Sequence, residues 1–233
     1  MALAPADTSD GNGVNMSRDP AKTRSRIIAA ADELFYGDSL RGVSVDEVAA
    51  KAGITKKTLY YHFSSKDELI AAYLTARDKP TIERFKDWGG DTGTVAERMG
   101  RMFDRLGLLA RSRDWLGCGF LRVTAELANM PGHPALDVAR AHKRAFQAWL
   151  CEMLIAEGHQ DPQKLAQSLM ILVDGTVSQL LMHRDPTYAS AASYAVHALL
   201  AATPQTGKQT RYSGSAPVLG PVRTSAAAVV DCP

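Results

Sequence analysis

Between Thr55 and Lys66 the chain concentrates polar, basic and aromatic side chains for which a folded core has little use. Leu59 and Phe63 lie four apart and share one face of a helix, pointing inward with Ile54. Lys56, Lys57, Thr58, Tyr60, Tyr61 and His62 are left on the remaining surface. Two lysines and two tyrosines facing solvent on one short helix suit a nucleic-acid groove. Lysines can take phosphates or guanine edges, hydroxyls can take phosphates, and rings can pack on sugars and thymine methyls.

The segments on either side position that helix. Ser44 and Glu47 form a capping box that opens a preceding helix, whose apolar face is Val45, Val48, Ala49 and Ala52. Gly53 ends it, because glycine enters the left-handed region without a Cβ penalty. Thr55 can cap the next helix. Helix, glycine turn and helix together make a helix-turn-helix. Ser65 and Glu68 read as a second capping box. Lys66 at that start is an unfavourable cation beside the helix dipole, an objection that a bound anion would remove. Upstream, a helix from Ala21 carries the stripe Ile27, Ala30, Ala31, Leu34 and Phe35 and ends at Gly37–Asp38. Its start places Thr23 or Arg24 near a phosphate. The candidate DNA contacts are therefore Thr23, Arg24, Ser44, Val45, Thr55, Lys56, Lys57, Thr58, Tyr60, Tyr61, His62 and Lys66.

The pieces TRSRIIAAADELF, GVSVDEVAAKAGITKKTLYYHF and SSKDELIAAYL, from Thr23 to about Leu74, resemble the DNA-binding domain of the tetracycline-repressor (TetR) family of bacterial regulators. The signature joins several independent parts: Gly42, the Ala52-Gly53-Ile54 turn, Thr58-Leu59-Tyr60, Phe63 and Ser65-Lys66. The resemblance covers roughly a quarter of the chain, with weaker likeness at Gly117-Cys118 and His133-Pro134. It implies an all-α fold of about nine helices: an N-terminal three-helix helix-turn-helix domain, then a C-terminal helical domain for ligand binding and dimerisation. It also implies a repressor, released from operator DNA by a small-molecule effector and transmitting the ligand state through the helix after Ser65.

Composition agrees. The 233 residues suffice for a small domain plus a larger unit with its own core, and 45% hydrophobic residues is ordinary for a globular protein. Net charge is only +2, so the basic signal is local: Arg41, Lys51, Lys56, Lys57 and Lys66 against Asp46 and Glu47. No segment reads as a membrane span or a signal peptide, which points to a cytoplasmic protein, associated with the nucleoid when bound to DNA. Cys118, Cys151 and Cys232 show no metal-ligand spacing and no disulfide framework. No metal, cofactor or membrane partner is expected. The expected organisation is a disordered arm (1–19), the helix-turn-helix domain (20–66), the helical body (67–203) and a disordered tail (204–233).

The body reads as helical throughout. Pro80 predicts a kink or break near Lys79. Val95, Met99, Met102, Phe103, Leu106 and Leu109 make one stripe, and a helix is expected from Phe120 to Asn129. The next carries Val138, His142, Phe146, Trp149, Leu150, Met153 and Leu154. Asp161 reads as the cap of a helix with Pro162 in its first turn. That helix has apolar residues on nearly two faces, and the last, Thr187 to Ala202, is lined with alanines. Paired with their copies they would make a four-helix dimer interface over about 162–202, which the resemblance also implies. Twofold symmetry would then demand a palindromic operator with half-sites roughly 34–36 Å apart.

Candidate ligand-lining residues are Met102, Trp115, Phe120, His142, Phe146, Trp149, Met153, Met170 and Asp174. All but His142 and Asp174 are side-chain types that also serve as plain core, and those two can equally be held by internal hydrogen bonds. An enzyme with incidental DNA binding is the reading from another class. No nucleophile elbow, HExxH, phosphate-binding glycine loop or credible carboxylate pair supports it. A DNA-binding dimer that answers to no ligand is the third.

Overall fold

The computed structural model describes residues 19–203; the expected arm, up to residue 18, and the tail, from 204, lie outside the described residues. Among the described residues there are nine helices and no strand: α1 Pro20–Gly37, α2 Val45–Lys51, α3 Lys56–His62, α4 Lys66–Gly89, α5 Val95–Leu109, α6 Gly119–Glu126, α7 Pro134–Ala156, α8 Pro162–His183 and α9 Thr187–Ala201.

Short polar side chains write most of the starts. Asp19 accepts the amide of Ala21 at 3.0 Å to cap α1, and Thr94 and Glu97 form a reciprocal box on α5. Ser44 and Glu47 close the expected box on α2, with bonds of 3.2 and 2.6 Å. At α4 the box is only half made. Ser65 accepts from the Glu68 amide at 3.1 Å, but the Glu68 carboxylate takes the amide and hydroxyl of Ser64 instead. Asp161 also departs from expectation. It stands at the α8 cap position with φ 53°, a left-handed conformation, and its side chain makes no cap bond.

Two apolar clusters organise the chain. The first joins α1, α2, α3 and the first turns of α4 through Ile27, Phe35, Val48, Leu59, Phe63 and Leu69, and it also takes in Phe120 and Val123 of α6, Leu127 just after it and Leu136 of α7. The second joins α5, α7, α8 and α9 through residues such as Met99, Phe103, Leu150, Leu169 and Val196. Fully burying a side chain of this size is worth about 1.5–3 kcal/mol, so each cluster is a core in its own right. Helix α4 is common to both: Leu69 to Leu74 lie in the first, while Ile82, Phe85 and Trp88 pack on the second.

Pro80 does not break that helix. Residues Lys66–Gly89 are continuous, with Pro80 inside. The ring costs the helix one bond, since Pro80 cannot donate to the carbonyl of Ala76. Packing of α4 against α7, α5 and α1 supplies the compensation. Helix α6 is shorter than expected, ending at Glu126 rather than Asn129, in a turn closed by Met130 N–H to Leu127 O.

The expectation that no segment reaches membrane-span character fails for α8. Its 22 residues include an 18-residue window of mean hydropathy 1.4, long and apolar enough by length and composition, and 44% of that window is buried within the chain. One face of α8 packs on α7, α9 and α5; the other displays Ile171, Gly175, Ser178 and Met182 to the outside. The helix ends at Arg184 in a left-handed conformation, φ 56°, a strain of about 1–3 kcal/mol. Its guanidinium donates to the carbonyls of Ala110, Ser112 and Trp115 at 3.2, 3.2 and 2.7 Å, offsetting that strain and tying the loop after α5 to α8.

Candidate nucleic-acid interface and ligand cleft

Helix α3 is held from beneath and left open above. Leu59 and Phe63 are fully buried, and Thr55 caps the helix through the amide of Thr58 at 3.1 Å. Gly53 has φ +64°, the left-handed turn its position requires. Arg26 of α1 donates to the carbonyls of Ala52 and Gly53, which fixes the turn against α1. Above this frame Lys57, Tyr60 and Tyr61 are exposed, Tyr61 at 79%. Thr58 and His62 are half-buried at the edges, and the ring of His62 packs edge-on to Tyr61. A convex, rigid ridge of donors and rings is what a groove-reading helix must present.

Three of the expected cationic contacts are engaged within the chain. Lys56 pairs with Asp46 of α2 at 2.8 Å, both side chains more than half exposed, which raises the lysine pKa chiefly through that hydrogen bond. An exposed pair of this kind holds only weakly and can be exchanged for a phosphate. Lys66 answers the helix-dipole objection without any anion, because its ammonium donates to the Val43 carbonyl at 2.6 Å. Arg24 lies over the Phe63 ring, 4.8 Å from its centroid. Of the remaining candidates, Ser44 and Thr55 serve as caps at the exposed starts of α2 and α3. Val45 and Thr23 are half-buried beside them.

The second site is a cleft between the two clusters, with about 710 Å³ between its walls, the open mouth included. Trp115, Phe120, His142, Phe146, Met170 and Asp174 line it, as sequence proposed them. Met102, Trp149 and Met153 do not. Met102 packs behind against Gly89. Trp149 supports Phe146 edge-on, with the Lys86 ammonium over its ring at 5.7 Å, and Met153 borders a separate groove beside α5.

Several lining residues were not anticipated, among them Tyr36, Arg77, Arg84 and Lys143. A signal did exist for α4. Arg77, Thr81, Arg84, Phe85 and Trp88 fall at helical spacing and form one face toward the cleft, yet arginines on a helix read as solvated surface. For Tyr36 there was no local signal, since its neighbours in space lie some 80 residues away in sequence.

Nearly every charge in the cleft is already answered. Arg77 pairs with Asp32 at 2.6 Å and lies over the Tyr36 ring at 4.4 Å. Lys143 pairs with Asp174 at very short range. His142 bonds Asp78 at 2.6 Å through Nδ1 and stacks flat on Phe120, with centroids 3.6 Å apart. Burial pushes its pKa below the usual 6.5, with Asp78 opposing, so the neutral ring donates its Nδ1–H to the carboxylate. Arg84, exposed at the mouth, has no hydrogen bond or ion pair to any described residue.

Tyr36 links the two sites. It sits in the last turn of α1, its ring lines the cleft, and its hydroxyl donates to Gly117 O at 3.1 Å while accepting from Leu116 N–H at 3.0 Å. Arg122 of α6 donates to the carbonyls of Tyr36 and Asp38, and the Glu126 carboxylate accepts from Leu40 N–H at 2.8 Å. The end of α1 is thus stitched to the wall of the cleft. Among the described residues no group of His, Cys, Asp and Glu could hold a metal ion. Cys118 and Cys151 are free, half-buried thiols.

Residues 27–73, which contain α2, α3 and the turn between them, match the family model described as bacterial regulatory proteins, tetR family. Over this segment the chain is similar to the TetR family. It is 41% identical over 59 residues to the HTH-type transcriptional regulator SrpR of Pseudomonas putida, covering 25% of this chain and 28% of that one. It is 25% identical over 176 residues to TtgR of the same species, covering 70% of this chain and 82% of TtgR. The chain thus spans well under two thirds of the first of these relatives. A crystal structure of a TetR-family transcriptional regulator from Streptomyces coelicolor superposes with a TM-score of 0.68 at 28% identity, over 78% of this chain and 95% of that one. All three relatives are named as transcriptional regulators, not as enzymes.

Proposed function

We propose that the chain is a DNA-binding transcriptional regulator of the repressor type, working in the cytoplasm and released from a palindromic operator by a small molecule. The observation that carries this reading is α3: apolar residues anchor one side, and an uncovered row of lysines and tyrosines occupies the other. Lys57, Tyr60, Tyr61 and, once freed from Asp46, Lys56 would enter the major groove. Ser44, Val45, Thr55, Thr58, His62, Thr23, Arg24 and Lys66 would border it.

Two copies are needed to read a palindrome, and the outer face of α8 and α9 supports pairing there. Ile171 and Met182 on α8 and Tyr194 on α9 are 73%, 68% and 77% exposed. Gly175 between the first two has open space where a Cβ would stand, so a neighbouring helix can approach closely. In the cleft, Tyr36 supports a route from occupancy to α1. A ligand that displaces its ring breaks two bonds holding α1 to the loop at 116–117. Such a ligand shifts the population only as far as it prefers the released state.

A binding titration tests the proposal. The full chain should bind fragments of its own promoter with a strong salt dependence and footprint a twofold-symmetric site. Binding that is indifferent to sequence, or protection of a single half-site by a monomer, would overturn it.

A further inference from the structure

We infer that the cleft takes a planar aromatic monoanion, such as a bicyclic aromatic carboxylate, with its rings among the aromatic side chains and its charge at Arg84. The inference rests on reading the cleft as the effector site, and it concerns the chemistry of the occupant alone.

Shape and surface give the aromatic half. Tyr36, Phe85, Trp88, Trp115, Phe120 and Phe146 contribute six rings to one cleft. Several are locked by neighbours: Phe85 packs edge-on against both Trp88 and Phe146, with centroids 5.1 Å apart in each case, and Phe120 is clamped flat on His142. Fixed rings with edges and faces presented favour a flat partner over a flexible chain, because offset-stacked and edge-on pairs add attraction beyond the buried area.

Charge bookkeeping within the cleft gives the other half. The lining holds three permanent cations, Arg77, Arg84 and Lys143, and one carboxylate, Asp174. Asp32, beside the cleft, answers Arg77, and Asp174 answers Lys143. His142 is neutral and committed to Asp78. One cation remains unanswered: Arg84, on the same face of α4 as Phe85 and Trp88. A single negative charge would be matched there. A dianion such as a phosphate ester would need a second free cation, and a cationic ligand would place like charge beside Arg84. Thr81, one turn before Arg84, lines the same wall with a hydroxyl engaged in no hydrogen bond to a described residue, available for a second polar atom of the ligand.

The test compares 2-naphthoate, its neutral isostere 2-naphthamide, the cation 2-naphthylmethylammonium and the non-aromatic anion decanoate. Binding to the full chain is followed by calorimetry and by quenching of tryptophan fluorescence, since Trp88 and Trp115 line the cleft. Naphthoate should bind about tenfold or more tighter than the amide, the scale of one hydrogen-bonded charge, and tighter than decanoate. Arg84→Gln should bring naphthoate down to the amide's affinity, and Arg84→Lys should restore part of the difference. Equal affinity for acid and amide, preference for the ammonium, an unchanged preference in Arg84→Gln, or no binding by any probe overturns the inference. The same probes added to the operator complex separate the two readings. Naphthoate that binds without releasing DNA leaves the ligand chemistry standing and removes the effector role. Release by neutral compounds alone keeps the effector role and removes the monoanion.

Discussion

Helix α3 and the cleft are built on opposite rules. On α3 the polar side chains stand exposed, and the one ion pair among them, Lys56 with Asp46, is wet and weak. In the cleft the charged groups are drawn inward and bound to one another at short range, leaving Arg84 as the exception. A surface that must meet phosphates keeps its donors uncommitted. A pocket that must accept a small molecule satisfies its own charges first, because a buried charge left unpaired costs several kcal/mol. The contrast separates groups that recognise from groups that hold.

The largest effect should come from the exposed side. Replacing Lys56 and Tyr60 together by alanine is expected to weaken operator binding by roughly a hundredfold or more, at 1–3 kcal/mol per specific contact. Circular dichroism and the oligomeric state should be unchanged, because neither side chain is buried. A loss of helicity would show that α3 is a structural helix like those around the cleft. Next, Ile171→Lys with Met182→Lys should convert the proposed dimer to monomers in sedimentation and take operator affinity down with it, while the monomer keeps its fold.

How visible each site is in the sequence follows from the same contrast. Lys57, Tyr60 and Tyr61 stand out because polar residues interrupt an apolar period where a core would want none, a local pattern. The caps at Ser44, Thr55 and Thr94 are equally local, and so are the helices they open. The cleft draws on α1, α4, α5, α6, α7 and α8, and its rings have the same composition as a core. Trp115 and Trp149 are indistinguishable by residue type, yet of the two only Trp115 faces the cleft. Proline at position 80 pointed to a kink or break, and α4 runs through it as one continuous helix. The Ser65–Glu68 pattern was right in spacing, but Ser64 offers the carboxylate two donors where Ser65 would offer one. Long-range placement, as for Tyr36, leaves no trace in a one-dimensional pattern.

Three smaller effects sharpen the comparison. Tyr36→Phe keeps the ring in the cleft and deletes the hydroxyl, removing two hydrogen bonds. A loss of about 1–3 kcal/mol by thermal or denaturant unfolding is expected, together with a reduced response of DNA binding to ligand. His142 makes stability pH-dependent. Its folded pKa lies below 6.5, so the unfolded chain binds the proton more readily, and stability present above about pH 6.5 is lost as pH falls toward the folded value. Unfolding midpoints measured from pH 7.5 to 5.5 should fall, and more steeply than in His142→Asn; an identical slope would show that His142 does not contribute. The mildest change is Lys57→Ala. If that side chain touches phosphate alone, it should weaken all DNA sequences alike and lower the salt slope by about one.

In the proposed function, helix α4 would serve as a lever. Its 24 residues make a rod of about 36 Å at 1.5 Å per residue, gripped at one end by the cluster beneath α3 and at the other by the rings of the cleft. A tilt of about 5° at the cleft end sweeps the far end through roughly 3 Å over that length, comparable to the reach of a hydrogen bond to phosphate. Pro80 sits just past the midpoint, where one missing bond makes the rod most compliant. If α4 carries the state of the cleft to α3, any flexure at that residue subtracts from the movement that arrives.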